Sequence, residues 1–154
     1  RKAAEGKIRK QLLEQDMLEA VIGLGPNVFY GTQLAACVMV FKQNKPADKK
    51  GKVLFIDASD QIRVGRAQNF LEPNHVQQIY DWYHSYQDVE NYVKVASMDE
   101  LKENDFNLNI PLYVEKIIED NLPSVEEAMS DLKQAWQASL DAEEKFKNVL
   151  KGFL

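Results

Sequence analysis

Few of the residues that ordinarily do chemistry stand at spacings that would let them do it. One cysteine, Cys37, and two histidines, His75 and His84, cannot supply a zinc ligand set. Cys37 lies in the most apolar stretch of the chain, where an unpaired thiol acts as a small buried hydrophobe, and both histidines fall on expected helix surfaces. There is no Gly-x-Ser-x-Gly elbow and no Walker-type Gly-x-x-x-x-Gly-Lys loop. Gly23-Leu24-Gly25-Pro26 has the outline of a phosphate loop, but it lacks a third glycine and Pro26 has no amide to donate. It reads as a turn. Asp57 is a lone carboxylate closing an apolar run, better suited to a turn than to acid catalysis. Asp99, Glu100, Glu103 and Asp105 share no rigid spacing and read as a solvated face, not a metal site. No catalytic, cofactor-binding or metal-binding set is therefore expected within this chain.

One constellation stands out, the loop Gly25-Pro26-Asn27-Val28-Phe29-Tyr30-Gly31-Thr32 between two apolar runs. Ligands of open α/β sheets gather at the carboxyl ends of parallel strands, and this loop leaves such an end. Two adjacent aromatics between glycines are poorly placed to hide both rings. Either Phe29 plugs the edge of the sheet or it faces a ligand.

The elements that must position this loop follow from periodicity. Ala3 to Met17 reads as an amphipathic helix with Ile8, Leu12 and Leu13 on one face. Leu18 to Leu24, Ala35 to Phe41 and Val53 to Ile56 read as three strands, the second a continuous apolar run expected to be buried on both faces. Lys42 to Gly51 is polar, contains Pro46 and Gly51, and reads as an exposed hairpin loop. Pro73 opens a helix to about Tyr86, with Val76, Ile79, Tyr80 and Tyr83 on one face. Val93 to Ala96 has the chemistry of a short strand, and Ser97 with Glu100 has capping-box spacing. Phe106, Leu108 and Ile110 alternate with Asn107 and Asn109, a strand period ended by Pro111. Ser124 with Glu127 caps a final helix that no glycine or proline interrupts before Gly152. At about 27 residues it is roughly 40 Å long. Val125, Met129, Leu132, Trp136 and Leu140 form a stripe, which either covers the domain's own core or packs on a partner.

Composition bounds these readings. The chain has 154 residues, 45% of them apolar, enough for a core. Its net charge of −5 hides an asymmetry: residues 1–66 carry 12 basic and 7 acidic side chains, residues 67–154 carry 7 and 17. The front half is thus the part suited to a polyanion. No apolar run reaches the length of a membrane span, and Arg1 to Lys10 lacks the apolar core of a signal peptide. With a single cysteine this points to the cytoplasm. The chain opens without methionine inside a charged helical pattern, and reads as a piece of something longer.

Several runs together resemble one family. They are Leu18-Glu-Ala-Val-Ile-Gly-Leu-Gly-Pro-Asn-Val-Phe-Tyr-Gly-Thr32, Ala36-Cys-Val-Met-Val-Phe-Lys42, Lys52-Val-Leu-Phe-Ile-Asp-Ala-Ser59, Gly65-Arg-Ala-Gln-Asn-Phe70 and Lys102-Glu-Asn-Asp-Phe-Asn-Leu-Asn-Ile-Pro111. Their order and spacing over about residues 5–118 resemble the modification (methyltransferase) subunit of type I restriction–modification systems. The final helix matches in type only. Departures fall at Gly25, where proline is common, and at Leu112, where arginine is common.

The resemblance implies methyl transfer from S-adenosylmethionine to adenine N6 in DNA by the parent protein, alongside a specificity subunit and a restriction subunit. It implies an α/β fold, the C-terminal portion of a Rossmann-like methyltransferase sheet. Three strands would be present, with the Val53-to-Ile56 strand antiparallel between the other two, then helices and the long C-terminal helix. Residues 1–66 would end the catalytic domain, 67–122 would form a helical and loop extension on it, and 123–154 would be an assembly helix for the specificity subunit.

The donor's glycine-rich loop and the Asn/Asp-Pro-Pro-Phe/Tyr motif are absent from this sequence and are expected upstream. The chain alone is therefore expected to bind no S-adenosylmethionine and to methylate nothing. By the same resemblance, Phe29 looks like the match to the position whose aromatic ring packs on the extruded adenine in related adenine methyltransferases, which would make Tyr30 its helper. The alternative is a non-catalytic assembly module that docks on a specificity subunit or self-associates, the latter through an open edge on the Leu18-to-Leu24 strand or through its exposed apolar face.

Overall fold

The computed structural model describes residues 2–116 and 123–151. They divide into two units, residues 1–117 and residues 118–154. In the first, helix α1 (Lys2–Glu14) leads into strand β1 (Leu18–Leu24), followed by β2 (Cys37–Phe41) and β3 (Lys52–Ala58). Helix α2 (Pro73–Ser85), strand β4 (Val93–Ser97) and the short helix α3 (Met98–Glu103) complete it. The second unit contains helix α4 (Val125–Lys151).

The sheet has four strands in the order β2-β1-β3-β4. β1 and β3 run parallel, with Val21 opposite Phe55, while β2 and β4 flank them antiparallel. This corrects the expected arrangement. The antiparallel strand beside β1 is β2, β3 is its parallel neighbour, and the short strand at Val93 joins as a fourth. β1 is paired on both sides, so the open edge expected on it does not exist. The reason lies in how the chain crosses. After the loop from residue 25 to 36, β2 docks back on the strand it has just left. Lys42 N–H then donates to the Met17 carbonyl at 2.8 Å as the chain passes the start of β1 to reach its other side.

Lys42 to Gly51 is therefore a crossing segment, not an exposed hairpin between neighbours. Asp16, in the left-handed region at φ 54°, anchors it. Its carboxylate accepts from Lys45 Nζ at 2.6 Å and from Gly51 N–H at 3.1 Å, and Lys45 is buried.

Continuous apolar sequence in β1 and β3 produces burial on both faces. On one face, Leu13 of α1, Leu101 of α3, Tyr113 and Val114 pack on Val21, Val53 and Phe55, with the Phe55 and Tyr113 rings stacked at 3.9 Å. On the other, Trp82 of α2 packs on Ile22, Leu54 and Ile56. The inward face of α2 is thus Ile79, Trp82 and Tyr83, followed by Tyr86 at its carboxyl-terminal cap, while Val76 and Tyr80 of the expected face are exposed. β2 is equally apolar, yet Val38, Met39 and Phe41 are exposed. Among the described residues nothing pairs its outer edge, so its composition alone does not bury it. Residues 106–110 are not a strand. Phe106, Leu108 and Ile110 pack on the first core layer, which creates the alternation, but Asp105 and Phe106 are left-handed and a 3-10 turn (Ile110–Leu112) follows.

Both caps read from sequence form. The Ser97 hydroxyl accepts from Glu100 N–H, and Ser124 and Glu127 exchange side-chain to backbone bonds at 3.2 and 2.8 Å. Within its own unit, α4 has no other described element to cover Met129, Leu132, Trp136 and Leu140.

Candidate functional site

Because β1 and β3 are parallel, their carboxyl ends lie at one edge of the sheet and their loops leave side by side. The loop after β1 contains Phe29 and Tyr30. The loop after β3 contains the run from Gly65 to Phe70. Sequence reading treats these as separate motifs, and the fold laces them together. Three consecutive carbonyls of the first loop accept from two residues of the second. Asn69 Nδ2 donates to Pro26 O at 2.9 Å, Asn69 N–H to Asn27 O at 2.9 Å, and Gln68 Nε2 to Val28 O at 2.8 Å. In return, Asn27 Nδ2 donates to Ala67 O at 3.1 Å.

The second loop is itself closed. Arg63 and Phe70 exchange backbone bonds at 2.8 and 2.9 Å, and the Arg63 guanidinium lies 4.5 Å from the Phe70 ring centre and pairs with Glu72. Gly65 is required there, since a Cβ would sit 2.2 Å from the Gln68 carbonyl oxygen. On this support Phe29 remains 50% exposed and Tyr30 96% exposed. Asn27 at φ 56° and Gly31 at φ 77° turn the chain on either side of the rings.

Gly23 and Gly25 are filled from nearby, not left open as a cradle. A Cβ on Gly23 would meet Ile110 Cδ1 at 2.6 Å, and one on Gly25 would meet the Ser59 carbonyl oxygen at 2.6 Å. A cleft of 410 Å³ borders them, lined by Gly23, Cys37, Asp57, Ser59 and Ile110 among others. Cys37 is exposed, contrary to expectation, because β2 is an edge strand among the described residues.

Asp57 holds a turn and an ion pair. Its carboxylate accepts from Ser59 N–H at 3.0 Å and lies 3.2 Å from Lys116 Nζ, which also reaches Ser59 Oγ at 2.8 Å and Asp60 at 3.4 Å. Burial pushes its pKa up. Hydrogen bonds from Ser59 and the bond and charge of Lys116 outweigh that, leaving the carboxyl below its ordinary value. A carboxylate so held is a poor proton donor at neutral pH.

The remaining candidates have local partners. His75 Nδ1 accepts from Glu72 N–H within the cap of α2, and exposed His84 lies 5.9 Å from the Tyr80 ring centre. Asp99 pairs with Lys102 at 2.9 Å. Among the described residues no group of three His, Cys, Asp or Glu side chains is placed to hold a metal. No described helix is long and apolar enough to cross a membrane.

The positive charge of the front half is unevenly free. Lys42, Lys45 and Lys49 gather at the opposite end of the sheet against Glu19 and Asp16, whereas Arg66 is exposed in the loop after β3, beside the aromatic loop. Sequence reading missed Gln68, Asn69 and Lys116 as parts of this site. The available signal was the run Gly65 to Phe70, whose residues were matched without a role.

Comparison with known proteins gives a consistent pattern. Residues 1–121 match the family model of the N-6 DNA methylases. Over 149 residues the chain is 36% identical to the type I restriction enzyme MjaVII methylase subunit of Methanocaldococcus jannaschii, covering 95% of this chain and 25% of that protein. The MjaVIII methylase subunit of the same organism is 34% identical over 153 residues, at 97% and 26%. Among solved structures, the type I restriction-modification system methyltransferase subunit from Streptococcus thermophilus superimposes with a TM-score of 0.70 at 40% identity. It covers 74% of this chain and 24% of that one. The chain spans about a quarter of the length of the curated relatives it matches.

Proposed function

The chain belongs to the N-6 DNA methylase family, and on that premise we propose that it forms the base-holding, carboxyl-terminal portion of a type I modification subunit. The whole subunit would transfer a methyl group to N6 of adenine in DNA, and this portion would stack the extruded base on Phe29 with Tyr30 beside it. The observation that carries the reading is the exposure of these two rings on a loop fixed at the carboxyl end of the parallel β1–β3 pair. An enzyme acting on a base inside a duplex must extrude it and give it a face to rest on.

The family implies S-adenosylmethionine as donor in the whole subunit. The glycine turn of this chain does not offer the cradle such a donor needs. The candidate glycine turn is filled by Ile110 and by the Ser59 carbonyl, and Pro26 contributes no amide. The donor-binding glycine-rich loop and the Asn/Asp-Pro-Pro-Phe/Tyr motif would come from sequence outside this chain. What this chain contributes is orientation of the base.

A second contribution concerns assembly. The stripe Met129, Leu132, Trp136 and Leu140 on α4 has no partner among the described residues of its own unit and has the spacing of a helix that packs on another helix. Its proposed partner is the specificity subunit, in a complex that also includes the restriction subunit.

The test is Phe29→Ala in the full-length subunit assembled with its specificity subunit. Stacking of this kind contributes about 1–3 kcal/mol per base. Methylation should therefore fall roughly 5- to 150-fold, with the melting temperature unchanged. Undiminished methylation would reduce Phe29 to a packing residue. Removing residues 124–154 should abolish co-elution with the specificity subunit, and retained binding would take α4 out of the assembly.

A further inference from the structure

We infer that Gln68 and Asn69 are positioning residues for the aromatic loop, acting as a clamp on the three carbonyls that precede Phe29. The inference rests on the base-holding role proposed for Phe29 and asks what fixes that ring in space.

β1 ends at Leu24 and β2 begins at Cys37, so the ring sits in a long connection with no ladder of its own. A free connection of that length would populate many backbone states, and each would lower the fraction of molecules presenting the ring correctly. The loop's internal bonds are few: Thr32 N–H reaches Phe29 O at 3.4 Å, and Leu34 N–H reaches Thr32 Oγ1 at 3.1 Å. Its firm ties come from about forty residues away, through the bonds of Gln68 and Asn69 to the carbonyls of Pro26, Asn27 and Val28.

Asn69 is only 9% exposed, and its amide is used at both ends. Nδ2 donates to Pro26 O, and Oδ1 accepts from Gly65 N–H at 3.4 Å. A buried side chain whose donor meets a main-chain carbonyl specifies backbone position, because any displacement leaves a buried polar group unpaired. The clamp therefore stops one residue short of Phe29, leaving the ring free while fixing its attachment. Neither Gln68 nor Asn69 needs to touch DNA for this.

The chemistry suggests an isosteric test. Asn69→Asp and Gln68→Glu keep size and acceptor but replace each donating nitrogen with a carboxylate oxygen, which repels the carbonyl it faces. Both variants, with Phe29→Ala, are made in the full-length subunit assembled with its specificity subunit. Three quantities are read: deuterium uptake of peptides covering residues 25–33, the fluorescence of 2-aminopurine placed at the target adenine, and kcat and KM for DNA. In Asn69→Asp, uptake at 25–33 should rise about tenfold in rate, while peptides from β1 and β3 stay unchanged. The 2-aminopurine signal should fall and KM should rise by a similar factor. Gln68→Glu should do the same more weakly.

If Phe29→Ala impairs methylation but both clamp variants leave uptake and KM at wild-type values, the inference is wrong and the base-holding reading survives. If Phe29→Ala is silent, that reading fails, and the uptake arm still reports separately whether the clamp holds the loop. Uptake rising across the whole sheet in both variants would make Gln68 and Asn69 folding residues only, which also overturns the inference.

Discussion

The two ends of the parallel β1–β3 pair use similar side chains to opposite effect. At the amino end, Glu19 is 1% exposed and accepts from Tyr83 Oη at 2.8 Å and from Lys49 Nζ at 3.3 Å. Lys49 in turn lies over the Tyr83 and Tyr86 rings, at 5.4 and 4.2 Å from their centres. Charge and aromatic faces there are occupied by one another. At the carboxyl end, amide side chains hold backbone carbonyls, and the rings of Phe29 and Tyr30 take no part. An aromatic residue is available to a ligand where the main chain, not the ring, carries the tie to the rest of the fold. Tyr83 and Tyr86 support structure at one end, whereas at the other Phe70 does so under Arg63 and Phe29 and Tyr30 stand open.

The sharpest way to break this contrast is at Glu19. Glu19→Ala leaves Lys49 and the Tyr83 hydroxyl without their buried partner and should cost about 3 kcal/mol or more of stability, read as a lower urea midpoint. If Glu19→Ala were as stable as wild type, the amino end would not be the structural one. A smaller effect is expected at the other end. Gly25→Ala forces a Cβ to within 2.6 Å of the Ser59 carbonyl oxygen and 2.8 Å of Ile62 Cγ2. Overpacking of this kind should cost about 1–3 kcal/mol, with faster deuterium uptake confined to residues 25–33 and 59–70. Spread of that uptake to residues 16–19 would show that the two ends are coupled.

The smallest effect is a pH dependence at Tyr83. Burial, the hydrogen bond to Glu19 and that carboxylate's charge push its hydroxyl up from 10.0 to about 12. A raised folded value means the contribution is complete below about pH 10, where both states are protonated. It is lost as pH climbs toward 12, because the unfolded chain releases the proton more readily. Tyr83→Phe should remove that alkaline dependence and cost about 1 kcal/mol at neutral pH. An identical alkaline profile in the variant would exclude Tyr83 from the network.

Much of this fold is legible in sequence because the signals are local. Pro73 opens α2, Ser97 and Ser124 start α3 and α4, and the apolar runs of β1 and β3 sit where periodicity puts them. Phe29 and Tyr30 stand out because two aromatics between glycines have nowhere nearby to hide. Apart from the face of α2, where Val76 and Tyr80 are exposed, the readings that failed depended on a distant partner. The apolar composition of β2 forecast burial, but an edge strand is covered only if something packs on it. The alternation at Phe106, Leu108 and Ile110 came from contact with one core face, not from strand pairing. Glu19 in an apolar strand and Asn69 in a loop carried no local mark of their burial.

Sequence by itself determined most of the elements, their caps and the turn at Gly25-Pro26-Asn27, since each rests on residues within about one turn of helix or strand. Tertiary structure alone decided the strand order, the meeting of the aromatic loop with Gln68 and Asn69, and the ion pairs around Glu19. Those contacts join residues roughly thirty to sixty positions apart. Periodicity tells which face a residue turns toward the core. Only the path of the chain across the sheet brings its partner there.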